Sequence, residues 1–272
     1  MKQIRPCLAW TAALALLVSG CTPQETQESP AQNPSVQTLE AAQTAYLEQV
    51  DVDYSYNLAR KLEEIRSNEA LGYRTAGSQA ELDTGDLLKA EMEAIGLSNV
   101  TKDAFTLDTW TFETAQLTYT GADGASYTTE LGGYQTDFQT DGAETFTVID
   151  GGQGTEADLA GLDVTGKLVL IDINQRDNWW INYPAYEAHL NGAAAVLAAQ
   201  DGGYSEVSPD ALNAQDVCGP ADAAAFSISR TEAENLRAAM AQAGTNELSV
   251  TLEASSTVGL DGTSYNIVGT IP

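Results

Sequence analysis

The chain has 272 residues, of which 43% are hydrophobic and 19% charged, the balance of a globular protein with a real core. Twelve basic residues stand against 39 acidic ones, a formal net charge of −27. Such a surface repels phosphate backbones and argues against any nucleic-acid partner.

The first element in chain order is a leader. Lys2 and Arg5 precede an apolar run of eleven residues from Leu8 to Val18, and small residues follow. A basic flank, an apolar stretch and small residues before a cut mark a secretory signal over residues 1–20. Eleven helical residues cover only about 16 Å at ~1.5 Å each, too short to span a bilayer. The ending Val18-Ser-Gly-Cys21 resembles a bacterial lipoprotein signal, which implies a lipid on Cys21. The expected location is an exported lipoprotein on the outer surface of the cell membrane, held there through that lipid. Removing Lys2 and Arg5 with the leader leaves ten basic residues against 39 acidic ones over 252 positions, a net charge of −29.

Residues 21–37 carry three prolines and almost no large apolar side chain, and read as a disordered tether. Leu39, Ala42, Tyr46 and Val50 then fall at helical spacing, and Leu58, Leu62 and Ile65 resume it after a polar break at Asp51–Asp53. Gly77 marks a turn, and Ser78 with Glu81 predicts a capping box opening a helix that Gly96 ends. Leu82, Leu87, Leu88, Met92 and Ile95 form its broad apolar face. One strand is expected over Val100–Trp110, a second over Phe112–Tyr119, and a third over Tyr127–Leu131 after a turn at Gly121–Gly124. Strands and helices then alternate. Strands are expected at Thr145–Ile149, Lys167–Ile173, Ala193–Ala199 and Phe226–Ile228. Helices are expected at Tyr183–Leu190 and from a second capping box at Ser229/Glu232 to Gln242. Two closing strands, Leu248–Leu252 and Ser264–Ile271, complete an α/β reading.

Several motifs tempt and fail. Gly161 to Lys167 matches the first seven positions of a phosphate-binding loop, but Leu168 replaces the hydroxyl residue and no helix follows. Asp51 to Ser55 imitates a calcium loop, yet Tyr56 and Leu62 occupy the glycine and glutamate positions. The single histidine, His189, cannot furnish a catalytic zinc site or a serine triad with the usual partners. No catalytic and no metal-ligating residue is therefore assigned within this chain. Cys7 leaves with the leader and Cys21 is the lipid site, so Cys218 reads as a lone buried thiol.

The cluster Asn178-Trp-Trp-Ile-Asn-Tyr183 is harder to absorb into a core. Adjacent tryptophans point in different directions on a strand or a helix. Trp179, Trp180 and Tyr183 are thus candidates for substrate or domain contact.

Two stretches carry a likeness. Asp163 to Ile171 (DVTGKLVLI), then Asn191 to Leu197 (NGAAAVL) and Phe226 to Ser229, resemble the protease-associated (PA) domain, with Gly166, Lys167, Gly192 and Ala193 on its structural positions. The flanks are similar to the co-catalytic zinc exopeptidases of the aminopeptidase Y and glutamate carboxypeptidase type. Arg74-Thr-Ala-Gly-Ser78 and Ser264 to Pro272 carry that similarity. The resemblance implies an incomplete zinc-exopeptidase core plus an inserted α+β PA domain. Its parts are residues 38–120 (first part of the peptidase domain), 121–256 (PA domain) and 257–272 (return strand). It also implies that the family's ligands for two zinc ions, and its general base, would follow Pro272, so that these 272 residues are a truncated product without turnover. The expected function is the N-terminal portion of a zinc-dependent aminopeptidase-like enzyme acting on peptide substrates. The alternative is a non-catalytic PA-domain or solute-binding surface lipoprotein, and a weaker option is carbohydrate recognition through the tryptophan pair.

Overall fold

A computed structural model describes residues 34–69, 72, 74–133, 135, 137–174, 176, 182–203, 207–212 and 223–272. The leader, Cys21, Trp179, Trp180 and Cys218 lie outside the described residues. The backbone divides into two compact units, Met1–Tyr54 and Ser55–Pro272.

The first unit contains helix α1, Pro34–Leu47. It begins inside the stretch expected as tether. The reason is local, since a proline at the first helical position has its φ preset and gives up an N–H that would be unbonded anyway. Helix α2, Val52–Glu64, follows the predicted break. Asp51 accepts from the Tyr54 N–H at 2.8 Å, so the acidic break caps a helix.

The second unit is built on one nine-stranded sheet. After helix α3 (Gln79–Ala94) come strands β1 (Ser98–Thr120), β2 (Ser126–Glu130), β3 (Gly132–Gly133), β4 (Phe138–Gln139) and β5 (Glu144–Asp150). Helix α4 (Glu156–Leu159) leads to β6 (Leu168–Ile173), α5 (Asn182–Leu190), β7 (Ala195–Gln200), β8 (Ala225–Ile228), α6 (Arg230–Ala243) and β9 (Glu247–Thr270). The strand order is β2-β1-β9-β5-β6-β7-β8-β3, with β4 also pairing β9. Strands β5 through β8 run parallel to one another, and β9 joins them antiparallel through β5.

The parallel strands are buried on both faces, which is why they read as continuous apolar runs. Leu168 and Leu170 of β6 face a core that includes Leu236 and Met240 of α6. Val169, Ile171 and Ile173 face the opposite core, with Leu159 of α4 and Ala185 and Ala188 of α5. Gly166 and Gly192 both adopt positive φ, and the Gly166 N–H donates to the Gly192 carbonyl at 2.8 Å. Ala194 donates to the Lys167 carbonyl at 2.9 Å, so the two glycine turns set the β6–β7 register. Lys167 projects to Glu247 at 2.9 Å, and the turn it ends leads directly into β6.

The main departure from the sequence reading is in strand length. The two strands expected before Gly121 are one, β1, and the two closing strands are one, β9. They pair antiparallel from Ser98↔Thr270 to Tyr119↔Val250. Continuity is kept across Leu107–Thr109 and Phe112–Thr114 by register shifts, which let a strand bend without ending. At the first of these, the Thr109 side chain fills space left by three glycines. A Cβ on Gly77 or Gly262 would collide with Thr109 Cγ2, and one on Gly259 would stand 2.6 Å from Thr109 Oγ1.

Leu170 is fully buried between β5 and β7, so Leu170→Ala is expected to cost about 2–5 kcal/mol, read from urea unfolding. Gly77 has φ +76° as well as the Thr109 contact, so Gly77→Ala is expected to cost about 2–4 kcal/mol from backbone strain plus overpacking. Adding Thr109→Ser, which removes the colliding methyl, should recover part of that loss. A cycle with no coupling between the two sites would refute the nested arrangement.

Candidate functional site

The segment Arg74–Ser78 ties three elements together. One guanidinium nitrogen of Arg74 donates to the carbonyls of Leu62 and, at 3.1 Å, Ile65, closing the C-terminal end of α2. The Thr75 N–H donates to Ser67 Oγ at 3.0 Å, and Ser78 Oγ donates to the Thr75 carbonyl at 2.6 Å. Ser78 Oγ in turn accepts from the Glu81 N–H at 3.2 Å, the predicted cap of α3. The reciprocal half of that box is shifted, since Glu81 Oε2 accepts from the Gly77 N–H. Glu81 Oε1 accepts from Ser264 Oγ at 2.6 Å, which fastens the start of α3 to β9.

The predicted apolar face of α3 is only partly covered. Ile95 is 62% exposed, and the buried residues of the helix are Ala80 and Thr84. The helix approaches the ladder at Gly85, beside Lys102 and Ile267, and again at Met92, beside Gly269.

Between the first half of α3, the middle of the β1–β9 ladder, Gly133 and Gln135 lies a cleft of about 520 Å³. That volume falls in the range of small-molecule sites. Trp110, Leu88 and Ile267 give it an apolar wall. Trp110 is 6% exposed, and its indole N–H donates to Ser256 Oγ at 2.8 Å, which fixes the ring. Tyr265 also lines the cleft, with the Lys102 ammonium 4.7 Å from its ring centroid and bonded to Asp86 at 2.6 Å.

Arg74, Glu81, Asp108 and Gln135 supply the polar lining. Arg74 and Glu81 are occupied by the contacts above. Asp108 and Gln135 make no hydrogen bond or ion pair among the described residues. Gln135 is held at φ +49°, a left-handed conformation that costs energy for a residue with a Cβ.

A second polar cluster stands at the carboxyl ends of β5 and β6. Arg237 of α6 donates to Asp150 at 3.2 Å and to Asp172 at 2.9 Å. Burial raises the Asp172 pKa above the usual carboxylate range, against the opposing pull of Arg237. Burial opposes the Arg237 charge, but the two aspartates outweigh it and raise its pKa. The group is internally compensated and clamps α6 to the sheet.

The residues singled out from the sequence are scattered. Gly166, Lys167, Gly192 and Ala193 form the turns that open β6 and β7, and Tyr183 is 42% exposed on α5. His189 is half-buried on the same helix. None of these lines the cleft. Asp108, Trp110 and Gln135 were missed, and only the aromatic residue at the supposed junction of two strands offered a signal. Among the described residues, no group of three or more His, Cys, Asp or Glu side chains could hold a metal ion.

No protein-family model matches the chain, and no curated protein matches it. Its fold is similar to those of several solved structures. With an aminopeptidase from Aneurinibacillus sp. strain AM-1 it shares 23% identity at a TM-score of 0.52, covering 82% of this chain and 48% of the other. With a zinc aminopeptidase from Bacillus subtilis the values are 21% and 0.53, covering 78% and 45%. With a peptidase M28 precursor from Shewanella amazonensis SB2B they are 19% and 0.51, covering 80% and 53%. The chain therefore spans about half the length of each, and the likeness is one of fold: a mixed α/β architecture with a large sheet and helices.

Proposed function

We propose that the chain is the N-terminal portion of an exported, lipid-anchored, zinc-dependent peptidase of aminopeptidase type. The path of the backbone carries this reading. The ladder of β1 and β9 leads from α3 into the wide sheet and back again, within a fold shared with two aminopeptidases. Residues 121–256 act as a PA domain that shapes the approach of peptides. The aromatic group Trp179, Trp180 and Tyr183 provides its contact surface. Cys21 carries the lipid, and the residues before Pro34 hold the body off the membrane.

The described residues do not fit a zinc site, having one histidine and no converging ligand set. Zinc, which would supply an activated water for peptide hydrolysis, belongs in this reading to polypeptide beyond Pro272. What this chain's own residues do is bind and orient: Trp110 walls the cleft, Glu81 fixes α3 against β9, and Asp108 presents a carboxylate. The second reading is a binding lipoprotein without chemistry, and the lack of a ligand set among the described residues favours it equally.

Expressing the chain together with the polypeptide encoded directly downstream separates the two. The extended protein is expected to hold two zinc ions, to hydrolyse peptides from the amino end, and to lose both properties on chelation. A stop codon directly after Pro272 overturns the peptidase reading in favour of the binding lipoprotein. The lipid anchor has its own test. Cys21→Ser should abolish incorporation of labelled fatty acid and release the protein from the membrane fraction, and retention there would refute the anchor.

A further inference from the structure

We infer that α1 lies along the membrane surface, with Leu39, Ala42, Tyr46 and Leu47 turned into a headgroup layer of zwitterionic phospholipid. The nearness of that surface rests on the lipid-anchor reading, whereas the apolar stripe stands on the structure alone.

The first observation is the stripe itself. Leu39, Ala42, Tyr46 and Leu47 recur at i, i+3, i+7 and i+8, the spacing of one helical face. Such a face is ordinarily spent on a core. Here every described side chain of α1, from Thr38 to Leu47, is exposed, and Leu39, Tyr46 and Leu47 are 59%, 69% and 68% exposed. A helix of 14 residues standing alone is marginal in water, so a surface that covers its apolar face would stabilise it.

Position is the second observation. Twelve residues separate Cys21 from Pro34, and fully extended they reach at most about 40 Å. A lipid on Cys21 therefore keeps α1 close to the bilayer, and so short a tether raises the effective concentration of the surface. Among the described residues no helix is long and apolar enough to cross a membrane. Lying on it is the geometry left to α1, with Tyr46 at headgroup level, where an apolar ring and a polar hydroxyl are both accommodated.

Charge selects the lipid. Between residues 34 and 50 the charged side chains are Glu40 and Glu48, with no basic residue. Interfacial helices that bind anionic lipid carry lysine and arginine on the polar face. The field that attracts those helices repels an acidic one, and a zwitterionic surface lacks it. A second copy of the chain is a poorer occupant. A face about 21 Å long and ~10 Å wide offers on the order of 200 Å², against about 800 Å² per partner in a stable interface.

The test supplies the tether chemically, so that it does not depend on lipidation in the cell. The chain from Cys21 onward, carrying Cys218→Ser to leave one thiol, is coupled through Cys21 to maleimide-bearing phosphatidylethanolamine in phosphatidylcholine vesicles. Brominated phosphatidylcholine in the same vesicles quenches an indole seated among the lipids. The fluorescence added by Tyr46→Trp is expected to be quenched roughly twofold more than that added by Thr44→Trp, two positions away on the opposite side of the helix. Combining either with Leu39→Glu and Leu47→Glu should remove the difference, and adding anionic phosphatidylglycerol should reduce it. Equal quenching at the two positions, a difference that survives the double substitution, or stronger quenching on anionic vesicles would overturn the inference. So would sedimentation in which the untethered chain forms dimers that Leu39→Glu dissolves. If Cys21→Ser leaves fatty-acid labelling unchanged while the tethered chain behaves as expected, the natural anchor fails and the surface affinity of α1 stands.

Discussion

The arrangement of the second unit depends on one crowded point, where Thr109 occupies room vacated by Gly77, Gly259 and Gly262. Two strands of more than twenty residues could not stay paired while passing from the α3 side to the wide sheet unless they bent. The register shift at Leu107/Thr109 supplies the bend. A bend brings backbones close, and close approach demands glycine. Gly77 comes from the helix-capping segment and Gly259 and Gly262 from the returning strand. The same threonine therefore couples the start of α3, the outgoing strand and the incoming one.

Glu81 reinforces that point from the polar side. A capping glutamate ordinarily satisfies the cap residue's own N–H. Here it reaches the Gly77 N–H and the Ser264 hydroxyl instead. The change converts a local helix signal into a long-range tie across 183 positions of sequence. Arg74 does the same for α2, since its contacts close a helix that ended before it. The Arg-Thr-Ala-Gly-Ser segment thus earns its residue types through structure, and the cleft is the space left beside a joint that has to be open at the bend.

Much of this was legible in the sequence, and the rest was hidden for identifiable reasons. The parallel strands declared themselves, because KLVLIDI and AAAVLAA are apolar on both faces and only a doubly covered strand needs that. Both capping serines were readable for the same local reason. The single long strands were not. Asp108 interrupts one apolar alternation and Gly259 to Gly262 the other, and a bulge and a strand end look alike along one chain. The cleft was invisible because Asp108, Gln135 and Tyr265 are far apart in sequence, and no spacing rule joins them. The tryptophan pair drew attention instead, since adjacent aromatic residues are conspicuous in a sequence, whereas a lone aspartate among 39 acidic residues is not.

That abundance of acid bears on what the cleft can select. A net charge of −27 attracts any cation diffusely, and at physiological ionic strength such attraction fades within about 8 Å. Diffuse attraction cannot distinguish one small cation from another. Discrimination needs charged groups held at a fixed distance from an apolar wall. Asp108 and Trp110 stand two positions apart on β1, and both line the cleft. The joint at Thr109 lies between them and holds that separation against the flexing of a long ladder. The constraint that lets the chain leave and return through one pair of strands is thereby also the one that gives the cleft a fixed shape.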